Sequence, residues 1–250
     1  VTCGGERQVR KRRLFYAPLL IWVSGPLFRI LNTGVCVLAQ REWEKRECSM
    51  YKRLYDASVR IEGDGMLTLP YLPGEPLATL LERRDLDDSV RMRGIELAVI
   101  ALTEFHRMGF THGDAMAENV MVDLDADVAR WFDFETAHDA SRAMTWRRAD
   151  DVRALLATCL LRTSPEKFAA IIELVLDAYG DEEISRIAAT SFTSLLRRAL
   201  PFHLGQAALS SQRFDEIAGV LSESRNTSPR TRVASSNCGA VAQPNPSISP

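Results

Sequence analysis

The chain has 250 residues, 46% of them hydrophobic and 26% charged, with a formal net charge of −2. This is enough to bury a sizeable core in one domain, and the near-neutral charge gives no reason to expect a nucleic-acid partner. Five cysteines, Cys3, Cys36, Cys48, Cys159 and Cys238, are scattered without Cys-x-x-Cys spacing, so neither a zinc site nor a disulfide framework is expected and a reducing cytoplasm is the simplest home.

Residues 7–13, Arg-Gln-Val-Arg-Lys-Arg-Arg, form a basic run ahead of the mostly apolar stretch Leu14 to Phe28, which contains Trp22. A secretory signal begins this way, but Pro18, Gly25, Pro26 and Arg29 interrupt the run, and no unbroken span of about 20 apolar residues remains. Basic residues beside Trp and Phe suit a peripheral membrane contact through residues 10–28 better. Residues 41–55 are rich in helix formers and predict a helix. Residues 59–71 alternate around Gly63-Asp64-Gly65, with Met66 to Tyr71 reading as a strand after the turn. Leu72-Pro73-Gly74-Glu75-Pro76 reads as a turn, and a short helix follows from Leu77 to Glu82. Asp85 to Asp88 supply a polar entry to the next helix, whose Ile95, Ala98, Leu102 and Phe105 fall on one face.

The densest chemical signal lies in residues 111–139. Thr-His-Gly-Asp-Ala-Met-Ala-Glu-Asn leads into the apolar run Val120-Met121-Val122, which reads as a strand. The polar turn Asp123 to Asp127 leads to a second strand, Val128 to Phe132, which delivers Asp133. A hairpin here brings Asn119 and Asp133 to the same end, and Asp114 lies five residues before Asn119. Three oxygen-bearing side chains then converge. Phosphoryl transfer needs such a set: one carboxylate to orient a hydroxyl and take its proton, and a second carboxylate with an amide oxygen to hold magnesium against nucleotide phosphates.

The spacing His-x-Asp-x-x-x-x-Asn, a hairpin and then Asp-Phe resembles the catalytic and metal loops of the kinase-like phosphotransferase superfamily. Gly113 after His112, and Asp133-Phe134-Glu135 in place of Asp-Phe-Gly, are more similar to its aminoglycoside phosphotransferase, choline kinase, lipopolysaccharide (Kdo) kinase and RIO-type branches. The resemblance implies an α+β, two-lobed protein-kinase-like fold with a reduced N-terminal lobe, about residues 1–71, and a mainly helical C-terminal lobe, about residues 76–221. It implies an ATP- and Mg2+-dependent kinase transferring the γ-phosphate to a hydroxyl acceptor, small-molecule or protein, with Asp114 as catalyst and Asn119 and Asp133 on the metal. A pseudokinase-type binding module without turnover, and a membrane-associated lipid or glycolipid kinase, are the alternative readings.

The resemblance also implies a strand lysine on the phosphates paired with a helix glutamate. The chain has only Lys11, Lys45, Lys52 and Lys167, and Lys11 alone precedes the helix region. Charge patterning also reads Lys11 as one more solvated cation in a basic cluster. Glu47 is the chosen glutamate, with Glu44 and Glu42 as rivals. Residues 69–72 fall at the hinge whose backbone faces adenine in the family, which makes Leu69, Tyr71 and Leu72 candidate nucleotide contacts; an ordinary turn is the simpler reading of their side chains. No Gly-x-Gly-x-x-Gly loop precedes Lys11, so a reduced nucleotide lid is one expectation and a small lobe that starts upstream is another. Glu135 reads either as an acceptor fixing the metal loop or as a magnesium contact, and His112 as a brace for the loop backbone. His106 reads as a packing or capping residue.

Val152, Leu155, Leu156, Cys159 and Leu160 make one helical face, preceded by Asp150 and Asp151, either of which fits the family's aspartate that anchors the catalytic-loop backbone. Phe168, Ile171, Ile172, Val175, Leu176 and Tyr179 repeat the pattern. Ile184, Ile187, Phe192, Leu195 and Leu196 continue it imperfectly, and a short helix is expected over 214–221. Residues 222–250 are rich in Ser, Pro, Asn and Arg and read as a disordered tail.

Overall fold

The computed structural model describes residues 2–3, 6–13, 34–63, 65–193 and 215–220. The apolar stretch from Leu14 to Phe28, Leu195 with Leu196, and the tail 222–250 lie outside them. The described chain is an α+β arrangement with small sheets.

A four-stranded antiparallel sheet has the order β1-β2-β5-β4, from β1 (Thr2–Cys3), β2 (Glu6–Arg12), β4 (Arg60–Gly63) and β5 (Met66–Pro70). Its central pair sets Lys11 opposite Leu67 and Val9 opposite Leu69. Leu67 and Leu69 are buried while Arg60 to Gly63 are exposed, so β5 takes the core position and β4 the edge. Between β2 and β4 in the chain lie β3 (Val35–Val37) and α1 (Gln40–Tyr55). Helix α1 buries Trp43, Glu47, Met50 and Tyr51, a stripe at spacings of four, seven and eight, and leaves Arg41, Glu42, Lys45, Lys52 and Arg53 exposed. The Glu42 carboxylate accepts the Ala39 N–H at its start (3.3 Å), and Asp56 in the left-handed region (φ 48°) ends it.

The turn after β5 leads into β6 (Glu75–Pro76) and α2 (Leu77–Glu82). Strand β6 joins β7 (Val120–Asp123) and β8 (Val128–Trp131) in a three-stranded sheet of order β6-β7-β8. Gly74 permits that join. Its φ is +101°, and a Cβ there would stand 2.2 Å from the Val122 carbonyl oxygen.

Helix α3 (Asp88–Arg107) turns Ile95, Ala98, Leu102 and Phe105 inward and packs on β8 and on α5 (Phe168–Tyr179). Helix α4 (Met144–Leu161) is enclosed: every residue from Ala149 to Leu160 is buried, and α3, α5 and α6 (Glu182–Thr193) surround it. A helical turn over residues 215–220 buries Ile217. Among the described residues no helix is long and apolar enough to cross a membrane.

The sequence gives no periodic signal for one pairing. β3 runs antiparallel to β9 (Thr136–His138), with Val35 opposite His138 and Val37 opposite Thr136. The Leu38 N–H donates to the Glu135 carbonyl and the Asp139 N–H to the Gly34 carbonyl (2.9 and 2.8 Å). The segment entering α1 is thereby fastened to the segment that follows Asp133.

Candidate active site

Lys11 projects from β2 toward α1. Its Nζ donates to Glu47 Oε1 (2.5 Å) and Asp133 Oδ1 (2.7 Å), with Glu135 Oε1 at 3.4 Å. Burial works against the ammonium charge, but Asp133, Glu47 and Glu135 outweigh it and raise the pKa, so Lys11 is a cation. Glu47 is fully buried, and its Oε1 also accepts Trp43 Nε1–H (3.1 Å) and the Phe134 N–H (3.2 Å). Its two rivals are occupied elsewhere: Glu42 caps the helix and Glu44 pairs with Gln40 on the exposed face.

The second half of the site is built by the β7–β8 hairpin. Its register sets Val120 opposite Trp131, and the Phe132 N–H donates to the Asn119 carbonyl (2.9 Å), so Asp133 emerges one residue beyond Asn119's partner. Asp133 adopts φ +66°, a left-handed conformation rarely taken by a residue other than glycine and held here by the surrounding bonds. Asn119 Nδ2 donates to both the Asp114 carbonyl and Asp114 Oδ2 (2.9 and 3.0 Å), which joins the two loop residues directly.

Below them the loop backbone is clamped. Asp151 on α4 accepts the N–H groups of His112 (2.7 Å) and Gly113 (2.9 Å), and His106 Nε2 lies 3.0 Å from it. Burial raises the Asp151 carboxyl, yet the interactions with His138 and His106 outweigh it and hold it at about 2. Of the two candidate anchors, Asp151 serves the loop and Asp150 holds His138 Nε2 (3.2 Å) and Arg153. His112 is fully enclosed, and burial pushes its pKa down against Asp151 and Asp114. Its Nε2 faces the Phe132 carbonyl (3.0 Å) and its Nδ1 accepts the Asp114 N–H (3.3 Å), the pattern of a neutral ring with the proton on Nε2. Both nitrogens are spent on backbone groups. His106 is likewise structural, bonded to Asp151 and to the Tyr179 hydroxyl (2.8 Å).

Lys11, Glu47 and Asp133 are therefore brought into direct contact, Asp114 and Asn119 into a second contact, and the hairpin joins the two. The hinge candidates stand apart from this cluster. Leu69 is buried in β5, the Tyr71 N–H donates to the Arg7 carbonyl (3.1 Å), and Leu72 packs on the core. Leu69 and Tyr71 line a cavity of about 750 Å³ with Gln8, Tyr55 and Arg60, and neither Lys11 nor Asp133 is part of its wall.

Among the described residues no three His, Cys, Asp or Glu side chains stand together so as to hold a metal ion by themselves. Magnesium shared with phosphate and water needs only one or two protein oxygens. Asn119 uses its Nδ2 on Asp114 and keeps its single amide oxygen, Oδ1, while Asp133 uses Oδ1 on Lys11 and keeps Oδ2. Those two hard oxygens fit such an ion. Glu135 lies beside Lys11, and burial with the Asp133 charge raises its pKa against Lys11 and Arg13.

The sequence reading missed Trp43, Arg46 and Arg13. Trp43 lies four residues before Glu47, the spacing of a shared helix face, and its ring lies 5.2 Å from both the Lys11 and the Arg13 cation. Arg46 donates to the Thr111 carbonyl (2.7 Å), and only its place beside Glu47 could have singled it out. No protein-family model matches the chain, and no curated protein sequence matches it.

Proposed function

We propose that the chain is an ATP- and magnesium-dependent phosphotransferase of the kinase-like superfamily, with a small lobe ending near residue 71 and a helical large lobe from about residue 76. It moves the γ-phosphate of ATP to a hydroxyl group on a small molecule or protein. The observation that carries this reading is the ion-paired group of Lys11, Glu47 and Asp133 meeting, through one hairpin, the Asp114–Asn119 pair.

In this reading Lys11, held by Glu47, neutralises and orients the phosphates. Asn119 and Asp133 hold the magnesium ion, which supplies positive charge to the phosphate oxygens when bound. Asp114 orients the acceptor hydroxyl. The hydroxyl oxygen forms a bond to the γ-phosphorus while the bond from that phosphorus to the ADP oxygen breaks, and the hydroxyl proton passes to the Asp114 carboxylate. His112 takes no part in proton transfer, because its ring is enclosed and bonded at both nitrogens.

ADP release with ATP, magnesium and a panel of hydroxyl acceptors tests the proposal. Asp114→Ala is expected to lose about 100- to 10,000-fold in turnover, the range of a positioned general base. Full activity in that variant removes Asp114 from its role. Nucleotide-induced thermal stabilisation of the wild type without turnover with any acceptor marks a binding module instead.

A further inference from the structure

Arg46 and Glu47 are consecutive residues of α1, and they hold different parts of the site. Glu47 takes Lys11 and the Phe134 N–H. Arg46 Nη2 donates to the Thr111 carbonyl at 2.7 Å and faces the His112 carbonyl at 3.4 Å. Those carbonyls belong to the short segment whose N–H groups, on His112 and Gly113, are taken by Asp151 of α4. The peptide groups leading to Asp114 are thus held on the carbonyl side by one helix and on the amide side by another.

We propose that Arg46 is a positioning residue that ties the loop bearing Asp114 to the helix bearing Glu47, so that the proton acceptor and the phosphate-binding lysine move as one body. The geometry fits arginine in particular. A guanidinium presents several N–H groups in a rigid plane, so one side chain can serve two successive carbonyls. Arg46 is half-buried and its Nε makes no hydrogen bond, so its binding energy rests on the Nη2 contacts with the loop. Moving α1 outward breaks the Lys11–Glu47 pair and the Arg46 tether together. The catalytic meaning of this tether rests on the phosphotransfer reading, whereas the tether itself can be measured without it.

Two variants of the full chain, Arg46→Ala and Arg46→Lys, test the inference with two readouts. The first is amide hydrogen exchange of the peptide spanning residues 111–119, compared with peptides from α4. In Arg46→Ala the loop peptide is expected to exchange about tenfold faster while α4 is unchanged, because a charge-assisted tether is lost on one side only. Arg46→Lys, which keeps a donor but not the fork, is expected to restore most of the protection. The second readout is ATP hydrolysis with magnesium and no added acceptor. Turnover in Arg46→Ala is expected to fall about tenfold to a hundredfold with KM for ATP changed less than about twofold, the mark of misplacement rather than lost binding. Wild-type exchange of residues 111–119 in Arg46→Ala overturns the inference, as does a KM effect at unchanged turnover. If the alanine variant does not fold, Arg46→Met, which keeps the length of the stem but has no donor, decides: faster loop exchange than wild type supports the tether, and identical exchange overturns it. A wild type with neither hydrolysis nor transfer defeats the phosphotransfer reading, and the exchange result still judges Arg46.

Discussion

Lys11 Nζ and Asp133 Oδ1 lie 2.7 Å apart although 122 residues separate them in the chain. Glu47 completes the group from a third element, fully buried, so its charge depends on Lys11 for compensation. Removing the lysine leaves a buried carboxylate without its directly bonded cation, which costs roughly 3 kcal/mol or more, whereas removing both charges relieves much of that cost. Lys11→Met is therefore expected to destabilise strongly, and Lys11→Met with Glu47→Gln by clearly less than the sum of the single changes. A double-mutant cycle by urea denaturation measures the difference, with an expected coupling of about 1–3 kcal/mol. Additive single effects would show the two side chains to be independent.

Gly113 accounts for a second prediction. Its φ is +87°, and a Cβ there would lie 3.1 Å from the Ala137 backbone and from Thr136 Oγ1 on β9. A side chain at this point pays twice, in left-handed strain and in crowding against a strand already paired with β3. Gly113→Ala is expected to lose about 1–3 kcal/mol of stability by urea denaturation, and Gly113→Arg more. An alanine variant as stable as the wild type would mean that β9 shifts freely.

The elements around this site differ in how far sequence could reach them. The hairpin was expected as Val120–Val122 and Val128–Phe132 and is observed as Val120–Asp123 and Val128–Trp131, because short apolar runs around an acidic turn leave little choice of pairing. Glu47 stands out over Glu44 because Trp43, Met50 and Tyr51 lie on its face of α1. Asp150 and Asp151 could not be separated: neighbours on a helix differ only in direction, and the surrounding packing decides which one meets the loop. The β3–β9 pairing was beyond reach. Three-residue strands carry no period, and the Cys36 thiol meets the Ala137 carbonyl across 101 residues. Arg46 sits in a run of charges that reads as a solvated face until the fold places a backbone carbonyl in front of it.

The cysteines offer a chemical probe of that packing. Cys36 is exposed on β3, whereas Cys159 is enclosed in α4, and burial pushes its thiol up to about 12 against Arg162. The thiolate is the reactive species, so Cys159 is inert in the folded chain. Mass spectrometry after brief maleimide treatment at neutral pH is expected to find Cys36 labelled and Cys159 unlabelled, with Cys159 reacting only in denaturant. Labelling of Cys159 at the rate of Cys36 would mean that α4 opens readily.

Asp151 makes the site sensitive to acid. Its folded carboxyl is held at about 2, below the ordinary value of 3.8. A carboxyl depressed in this way stabilises the fold fully above about pH 3.8 and loses that contribution as pH falls through 2, roughly 2 kcal/mol in all. Asp151→Asn cannot accept from His112, Gly113 and His106 in the same way, and it cannot titrate. The stability gap between wild type and Asp151→Asn is therefore expected to be wide at pH 5 and to narrow steadily between about pH 4 and pH 2. His106 and His138 both face this carboxylate, at 3.0 and 3.8 Å. Urea denaturation midpoints of the two proteins at pH 5, 4, 3 and 2 measure the gap, and a constant difference would show that the loop amides do not depend on an ionised Asp151.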